Sequence, residues 1–305
     1  MQQKKELSIL IPTYNDVCTD SVNTLMKQAE SISDLRFEII VADDASTDEN
    51  VVEANRAIDR MTNCRYIRRE NNVGRAAIRN FLAQEARYEW LLFVDSGMGI
   101  VRSDFIFNYL QAEGNPIYGG YVVEGDAENL RGNLRFRYEK ANEPNHTLEQ
   151  RLKQPEQDFH TSNFLVSRSL FLQHPLDERF RRYGYEDVLW GKRLKEDGIT
   201  ISHIDNPVAF DRFETNEAFL HKTEESLSTL HLFSEELKGY SRLLTMARRL
   251  KTLHLSDAVF YIYKMYKQKW LQNLLSNAPS LTFFKFYKLG RFLEIGRSTS
   301  NSDTY

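Results

Sequence analysis

Residues 183–197 read Tyr-Gly-Tyr-Glu-Asp-Val-Leu-Trp-Gly-Lys-Arg-Leu-Lys-Glu-Asp, so two adjacent carboxylates, Glu186 and Asp187, open a run of helically spaced apolar residues, Val188, Leu189, Trp190 and Leu194. That spacing puts both acids in the first turn of a helix, where the dipole favours the ionised form. An Asp held charged at the rim of a pocket can take a proton from a hydroxyl as general base. The same residue can also be an ordinary helix cap. The choice between these readings depends on what else the chain brings to that place.

Three polar clusters follow apolar runs in the N-terminal half: Pro12-Thr13-Tyr14-Asn15, Asp43-Asp44-Ala45-Ser46-Thr47-Asp48 and Asp95-Ser96-Gly97. Each alone is a common way to end a strand or cap a helix. Three in succession suggest a ligand site in which Tyr14 lies against a base and Asp43 or Asp44 accepts from base N–H or ribose hydroxyl groups. Asn71-Asn72-Val73-Gly74-Arg75-Ala76-Ala77-Ile78-Arg79-Asn80 then sets Arg75 and Arg79 four apart, on one helix face. Two guanidiniums so placed suit a diphosphate, or form a solvated basic face. No Gly-rich loop follows the first apolar run, which excludes a dinucleotide fingerprint and a P-loop.

The elements that must position these residues alternate. Strand patterns at Leu7–Ile11, Phe37–Ala42, Cys64–Ile67 and Trp90–Val94 are separated by helical patterns near 17–31, 48–62 and 74–87. This order predicts an α/β fold, a mostly parallel sheet with helices on both faces, whose ligands gather beyond the carboxyl ends of the strands. Beyond Glu214 the pattern turns wholly helical, over 214–237, 241–253, 257–275 and 280–293, with breaks at Gly239 and Pro279. The expected division is a catalytic domain over 1–237, with a nucleotide-binding half to about residue 125 and an acceptor half over 126–237. A basic, aromatic-rich helical appendage over 238–296 and a disordered tail over 297–305 follow.

The ordered series Pro-Thr-Tyr-Asn, Asp-Asp-Ala-Ser-Thr-Asp, Asn-Asn-Val-Gly-Arg-Ala-Ala-Ile-Arg-Asn, Phe-Val-Asp-Ser-Gly, Thr-Ser-Asn-Phe-Leu-Val-Ser and Tyr-Gly-Tyr-Glu-Asp resembles glycosyltransferase family 2, the inverting nucleotide-sugar enzymes of the GT-A fold. It spans about residues 6–225, and Thr161-Ser162-Asn163 with Phe171, Asp177, Glu178 and Phe180 is similar to the subset with a galactosyltransferase-like C-terminal half. The resemblance implies transfer of a hexose or N-acetylhexosamine from a nucleoside-diphosphate sugar, usually of uridine, to a hydroxyl of a glycan or lipid-linked acceptor. It implies Asp187 as general base. Donor contacts would fall to Pro12, Thr13, Tyr14, Asn15, Asp43, Asp44, Asn72, Arg75, Arg79 and Asp95, and acceptor contacts to Glu186, Asn163 and Tyr185. A non-catalytic relative that binds a sugar nucleotide or glycan is the alternative reading. A nucleotidyltransferase is a third, disfavoured by the Glu-Asp pair and the missing phosphate loop.

Two departures from the family pattern concern a metal. The usual Asp-x-Asp stands here as Asp95-Ser96-Gly97, and Phe210 occupies the place where relatives often carry a His after Asn206-Pro207. Asp95 can still hold Mg or Mn weakly together with phosphate oxygens and water. Otherwise Arg75, Arg79 or Arg212 replaces the cation, or catalysis has been lost.

Composition bounds the partners. At 305 residues and 41 % hydrophobic content the chain can bury a full core. Its net charge of -3 hides an asymmetry, because 238–297 holds twelve Lys or Arg against Asp257 and Glu294. Aromatics interspersed with lysines over 257–293 fit a helix lying on anionic lipid, or packing within the chain or against a second copy. No recognised nucleic-acid motif accompanies them. Cys18 and Cys64, with no signal peptide or membrane span in the sequence, fit a cytoplasmic protein, peripheral on the inner face of the membrane if the helices bind lipid. Among the histidines, His146, His160 and His174 read as surface or capping residues, and His203 as a satisfied core or edge residue.

Overall fold

The computed structural model describes residues 4–302, with side chains to residue 298. These residues form two compact units: one takes in the chain to Glu124, Glu143–Arg181 and Glu186–Arg212, the other Gly125–Asn142, Arg182–Tyr185 and the chain from Phe213.

The first unit is built on strands β1 (Glu6–Thr13), β2 (Arg36–Asp43), β3 (Cys64–Arg68), β4 (Trp90–Val94), β5 (Ile117–Tyr118), β7 (Asn163–Ser167) and β8 (Ser202–His203), in the spatial order β3-β2-β1-β4-β7-β5-β8. β1 to β4 run parallel, while β7 is antiparallel to β4 and to β5. Leu7, Ile9, Leu10 and Ile11 are all fully buried, as an apolar run covered on both faces must be. β6 (Tyr121–Val123) pairs with β9 (Val208–Phe210) in a small second sheet.

Helices α1 (Thr19–Glu30), α2 (Glu49–Arg56), α3 (Arg75–Glu85) and α4 (Phe105–Gln111) follow the first four strands. α1 buries Val22, Leu25 and Ala29, and α3 buries Ala76, Ile78, Leu82 and Ala83. The chain builds outward from β1 to β3 and then returns to lay β4 on the other side of β1. A crevice opens at such a reversal, beyond the carboxyl ends of the strands. That is where the polar clusters after β1 and β4 lie.

The second unit contains α5 (Leu134–Asn142); α6 (Leu148–Arg151), α7 (Arg168–Gln173) and α8 (Glu186–Glu196) belong to the first. The segment over 126–160, for which the sequence pattern gave no element, is partly helical. Its few apolar residues escaped the pattern because Leu134 packs with Phe219, Phe284 and Tyr287, which are far away in sequence. α9 (Asn216–Leu232), α10 (Arg242–Thr252), α11 (Ser256–Leu274) and α12 (Leu281–Ser302) complete this unit. Tyr263, Trp270, Leu274, Phe284 and Tyr287 form its core, and Glu294 gathers the Tyr263 hydroxyl, Lys267 and Arg291 at 3.1, 3.1 and 2.6 Å. α12 continues past Gly296, where the tail was expected to start, and residues 303–305 lie outside the described residues. No helix among the described residues is long and apolar enough to cross a membrane.

Candidate active site

The tips of β1 and β2 are joined through Asn15. The Asn15 amide oxygen accepts from the backbone N–H of Thr47 at 2.8 Å and of Asp48 at 3.0 Å, its amide nitrogen donates to Thr47 Oγ1, and its own N–H donates to Ser46 Oγ. Asn tolerates the left-handed backbone this requires, φ 52°. Asp43 is fully buried, with Oδ1 accepting from Ser46 N–H at 2.7 Å and Oδ2 from the Tyr66 hydroxyl. Tyr14 stands between these fixed points with 47 % of its surface exposed. Pro12 and Thr13 are the last strand residues, paired with Ala42 and Asp43.

Asp44 turns the other way. Its two oxygens accept from Val73 N–H and Gly74 N–H, both at 2.9 Å, and Asn72 donates to its carbonyl. Burial pushes the Asp44 carboxyl above its ordinary range, against the pull of those amides and of Arg69. Gly74 has φ 89°, and a Cβ there would meet the Arg181 carbonyl at 2.7 Å, so only glycine lets the turn enter α3. The consequence is a fixed starting point for Arg75.

Arg75 is the hub of the site. Its guanidinium donates to Asp95 Oδ2 and to Glu186 Oε1, each at 3.0 Å. Arg79 donates to Asp95 Oδ1 and to the Arg75 carbonyl. Both Asp95 oxygens are thus held by arginines. Glu186 is 4 % exposed and Arg79 1 %, whereas Arg75 keeps 41 % of its side chain open. The expectation that both arginines present themselves to a ligand is corrected for Arg79, since burial between Asp95 and the first turn of α3 removes it from the surface. Glu186 likewise is buried as the Arg75 counter-ion.

Asp187 follows at the start of α8. Its Oδ1 accepts from Val188 N–H at 2.8 Å and its Oδ2 lies 3.1 Å from His160 Nδ1. Burial alone would raise this carboxyl; the His160 hydrogen bond and charge, the Val188 amide and Arg75 bring it below the usual carboxylate range. α8 is pinned by Trp190, whose ring lies among Phe159, Phe164 and Phe171 and whose Nε1 donates to the His174 carbonyl at 2.6 Å. Gly191 lets the Glu156 carbonyl approach to within 2.2 Å of where a Cβ would sit. His160 is the residue that sequence reasoning missed, having been read as surface or capping. His203 fits its expected role, accepting from Arg151 at Nδ1 and donating from Nε2 to the Pro155 carbonyl, with its pKa lowered by burial to about 4.

Asn163 is fully buried and spends its amide on the Asn206 carbonyl at 3.1 Å, so the expected acceptor contact is corrected to a fold contact. Tyr185 belongs to the helical unit and adopts φ 71° immediately before Glu186. A hollow of about 580 Å³ touches Asn72 and runs along Ala77, Phe81 and Gln84, the face of α3 opposite Arg75 and Arg79.

Around Asp95-Ser96-Gly97 the charges are already matched. A side-chain Cβ at Gly97 would come 3.4 Å from Asp16 Oδ2, and Asp16 Oδ1 accepts from Arg212 at 2.8 Å. With Glu186 on Arg75, three carboxylates and three guanidiniums therefore share this corner. Among the described residues no group of three His, Cys, Asp or Glu gathers as a metal site. Cys18 and Cys64 are buried free thiols, pushed up by burial to about 12 and about 11.

Comparisons with known proteins bear on the family and the fold. An uncharacterized glycosyltransferase of Haemophilus influenzae is 35 % identical over 89 residues, 29 % of this chain and 28 % of that one. A poly(ribitol-phosphate) beta-glucosyltransferase of Bacillus spizizenii is 36 % identical over 94 residues, 30 % of this chain and 14 % of the relative. The matches span less than two fifths of these relatives' own length. In structure, the chain is similar to the mannosyltransferase PcManGT of Pyrobaculum calidifontis in complex with GDP-Man and Mn2+, with TM-score 0.56, 12 % identity, and 98 % and 88 % of the two chains covered. It is also similar to S. aureus TarS 1-349 in complex with UDP-GlcNAc, with TM-score 0.51, 16 % identity, and 97 % and 92 % covered. These likenesses carry the fold, which is GT-A. The family model described as Glycosyl transferase family 2 matches residues 8–174, more than half the chain and all four parallel strands with the polar tips that end them, and on that match the protein is a glycosyltransferase of family 2.

Proposed function

We propose that this protein transfers a hexose or N-acetylhexosamine, with inversion, from a nucleoside-diphosphate sugar, with UDP as the nucleotide, to a hydroxyl of a glycan or lipid-linked acceptor. The observation that carries the reading is the meeting of Asp95, Arg75 and Glu186 in one ion-pair chain, next to the ionised Asp187. In this reading the acceptor oxygen bonds to the anomeric carbon and gives its proton to the Asp187 carboxylate. The bond to the diphosphate breaks on the opposite face and its electron pair leaves with the phosphate. Tyr14 stacks on the base, and the fixed turns made by Asn15, Asp43, Asp44 and Asn72 frame the nucleoside. A nucleotide-sugar donor is also what PcManGT and TarS carry in their complexes.

The departing diphosphate needs a cation. The donor set here does not fit a divalent metal. Asp95 is bonded through both oxygens to Arg75 and Arg79, Gly97 brings no ligand, and Asp16 beside it is paired with Arg212. A metal would have to displace guanidiniums from a corner whose charges are already matched. The half-exposed guanidiniums of Arg75 and Arg212 are the groups that would face the phosphates in its place.

Titration calorimetry with a panel of nucleoside-diphosphate sugars, followed by an assay of UDP release, tests the reading. Binding and release of UDP from one donor support it. Binding without turnover under any acceptor supports the non-catalytic alternative, and failure to bind any donor rejects both.

A specific feature favours a membrane contact as well. Tyr261, Ile262, Met265 and Tyr266 are 67, 48, 58 and 42 % exposed along α11, among Lys264 and Lys269, while their neighbours Tyr263 and Trp270 are in the core. An apolar stripe flanked by lysines suits an anionic bilayer. Flotation of the full chain with phosphatidylglycerol vesicles should be lost in Tyr261→Ser/Met265→Ser. Unchanged flotation dismisses the contact, and a dimer abolished by the same substitutions assigns the stripe to a second copy.

A further inference from the structure

We propose that His160 is a positioning residue for Asp187, fixing the carboxylate so that it receives the acceptor proton in one defined orientation. This rests on Asp187 being the base. The geometry is specific: His160 Nδ1 lies 3.1 Å from Asp187 Oδ2 across 27 residues of chain, and the other oxygen is tied to Val188 N–H. A carboxylate only accepts, so Nδ1 carries the proton. Each oxygen keeps a second lone pair for the acceptor hydroxyl. The imidazole is itself held edge-on by rings, with Tyr118, Tyr121 and His146 at 6.2, 5.8 and 5.5 Å between centroids. Asp187 and His160 remain 18 % and 34 % exposed, so the pair faces outward rather than filling the core.

Partial burial makes a carboxylate pick up a proton more readily than a free one, and a protonated base is useless. His160 offsets that cost. Removing it takes away the largest compensation for burial and leaves only the Val188 amide and Arg75, so the Asp187 carboxyl rises. Other charged or titratable groups around the pair are Arg75 of α3, Glu186 of α8, Tyr118 of β5, Tyr121 of β6, His146, Arg151 of α6, Asp158 and His203 of β8. Of these, Arg75 also lowers Asp187, and it stays when His160 is changed.

The test compares wild type with His160→Leu and His160→Asn, whose amide can still donate to the carboxylate. Each is checked first by melting and by donor titration. In His160→Leu, kcat should fall about 10–100-fold, the loss typical when a partner that orients a reacting group is removed. Donor Kd should stay within about two-fold, a limit well inside one tenfold step of affinity. The acid limb of kcat should move toward neutral pH, and His160→Asn should recover most of the rate at pH 8. An unchanged kcat and acid limb in folded, donor-binding His160→Leu overturns the proposal; if that variant does not fold, the same comparison is made on His160→Phe, whose ring keeps the bulk and has no donor for the carboxylate. A denaturant double-mutant cycle over His160→Leu and Asp187→Asn separates this proposal from the functional reading on which it rests. Non-additive effects on stability with wild-type turnover in Asp187→Asn would remove the base and leave only a structural pair, and additive effects would remove the pairing itself.

Discussion

Arg75 Nε donates to Glu186 Oε1 at 3.0 Å, tying the first residue of α3 to the first residue of α8 across 111 positions of sequence. Glu186 is 4 % exposed, so the bond satisfies a carboxylate that has little access to water. Arg75→Ala should leave it uncompensated. Removing one partner of a fully buried pair costs about 3–5 kcal/mol, and the exposure of Arg75 places this case at or below the lower end. Urea unfolding of the two proteins measures the loss, and a difference under about 0.5 kcal/mol, the usual range for surface substitutions, would contradict the arrangement.

Saturation of Asp95 by Arg75 and Arg79 bears directly on cofactor use. Donor binding measured calorimetrically should be the same in EDTA and in millimolar Mg or Mn, and turnover should follow it. A chelator that abolishes both would show that the arginines give way to a cation.

The tip of β2 stores strain that can be released. Ala45 has φ 62° beside Asp44, a left-handed backbone that costs a residue with a Cβ roughly 1–2 kcal/mol. Glycine adopts that conformation freely but loses more entropy on folding, so Ala45→Gly should raise stability by about 0.5–1 kcal/mol. A fall in thermal midpoint would place Ala45 in a different backbone conformation.

Lys288 supplies a pH dependence in the helical unit. Its ammonium lies 4.6 Å from the ring centres of Tyr138 and Phe284, and burial, with Lys285 adding to it against the opposing pull of Glu139, lowers its pKa to about 8. The unfolded chain, with an ordinary lysine near 10.4, binds more protons between those values, so stability should rise with pH from about 8 to 10. Lys288→Met should start more stable at pH 7.5 and lose that rise. Denaturant midpoints at pH 7.5 and 9.5 check it, and an identical slope in both proteins would contradict it.

Much of this was legible in the chain because the signals are local. The apolar runs of β1 to β4 end in Asn15, Asp43 and Asp95, and the Glu186-Asp187 pair does open a helix. Other assignments failed where burial is decided by distant residues. Arg75 and Arg79 share a helix face and look alike in sequence, but Arg79 is buried against Asp95 while Arg75 stays half open. Asn163 reads as a polar site residue, and only the Asn206 carbonyl reveals its role. His160 carries no motif, since its partner is met only after β7, α7 and α8 have packed on Trp190.

The most direct measurement of the central claim is the isosteric substitution Asp187→Asn, with donor affinity and sugar transfer determined on the same preparation. We expect a donor Kd within about two-fold of wild type and a transfer rate reduced at least about a hundredfold, the lower range for loss of a general base. Wild-type transfer by that variant would contradict the assignment of Asp187 as the group that accepts the proton.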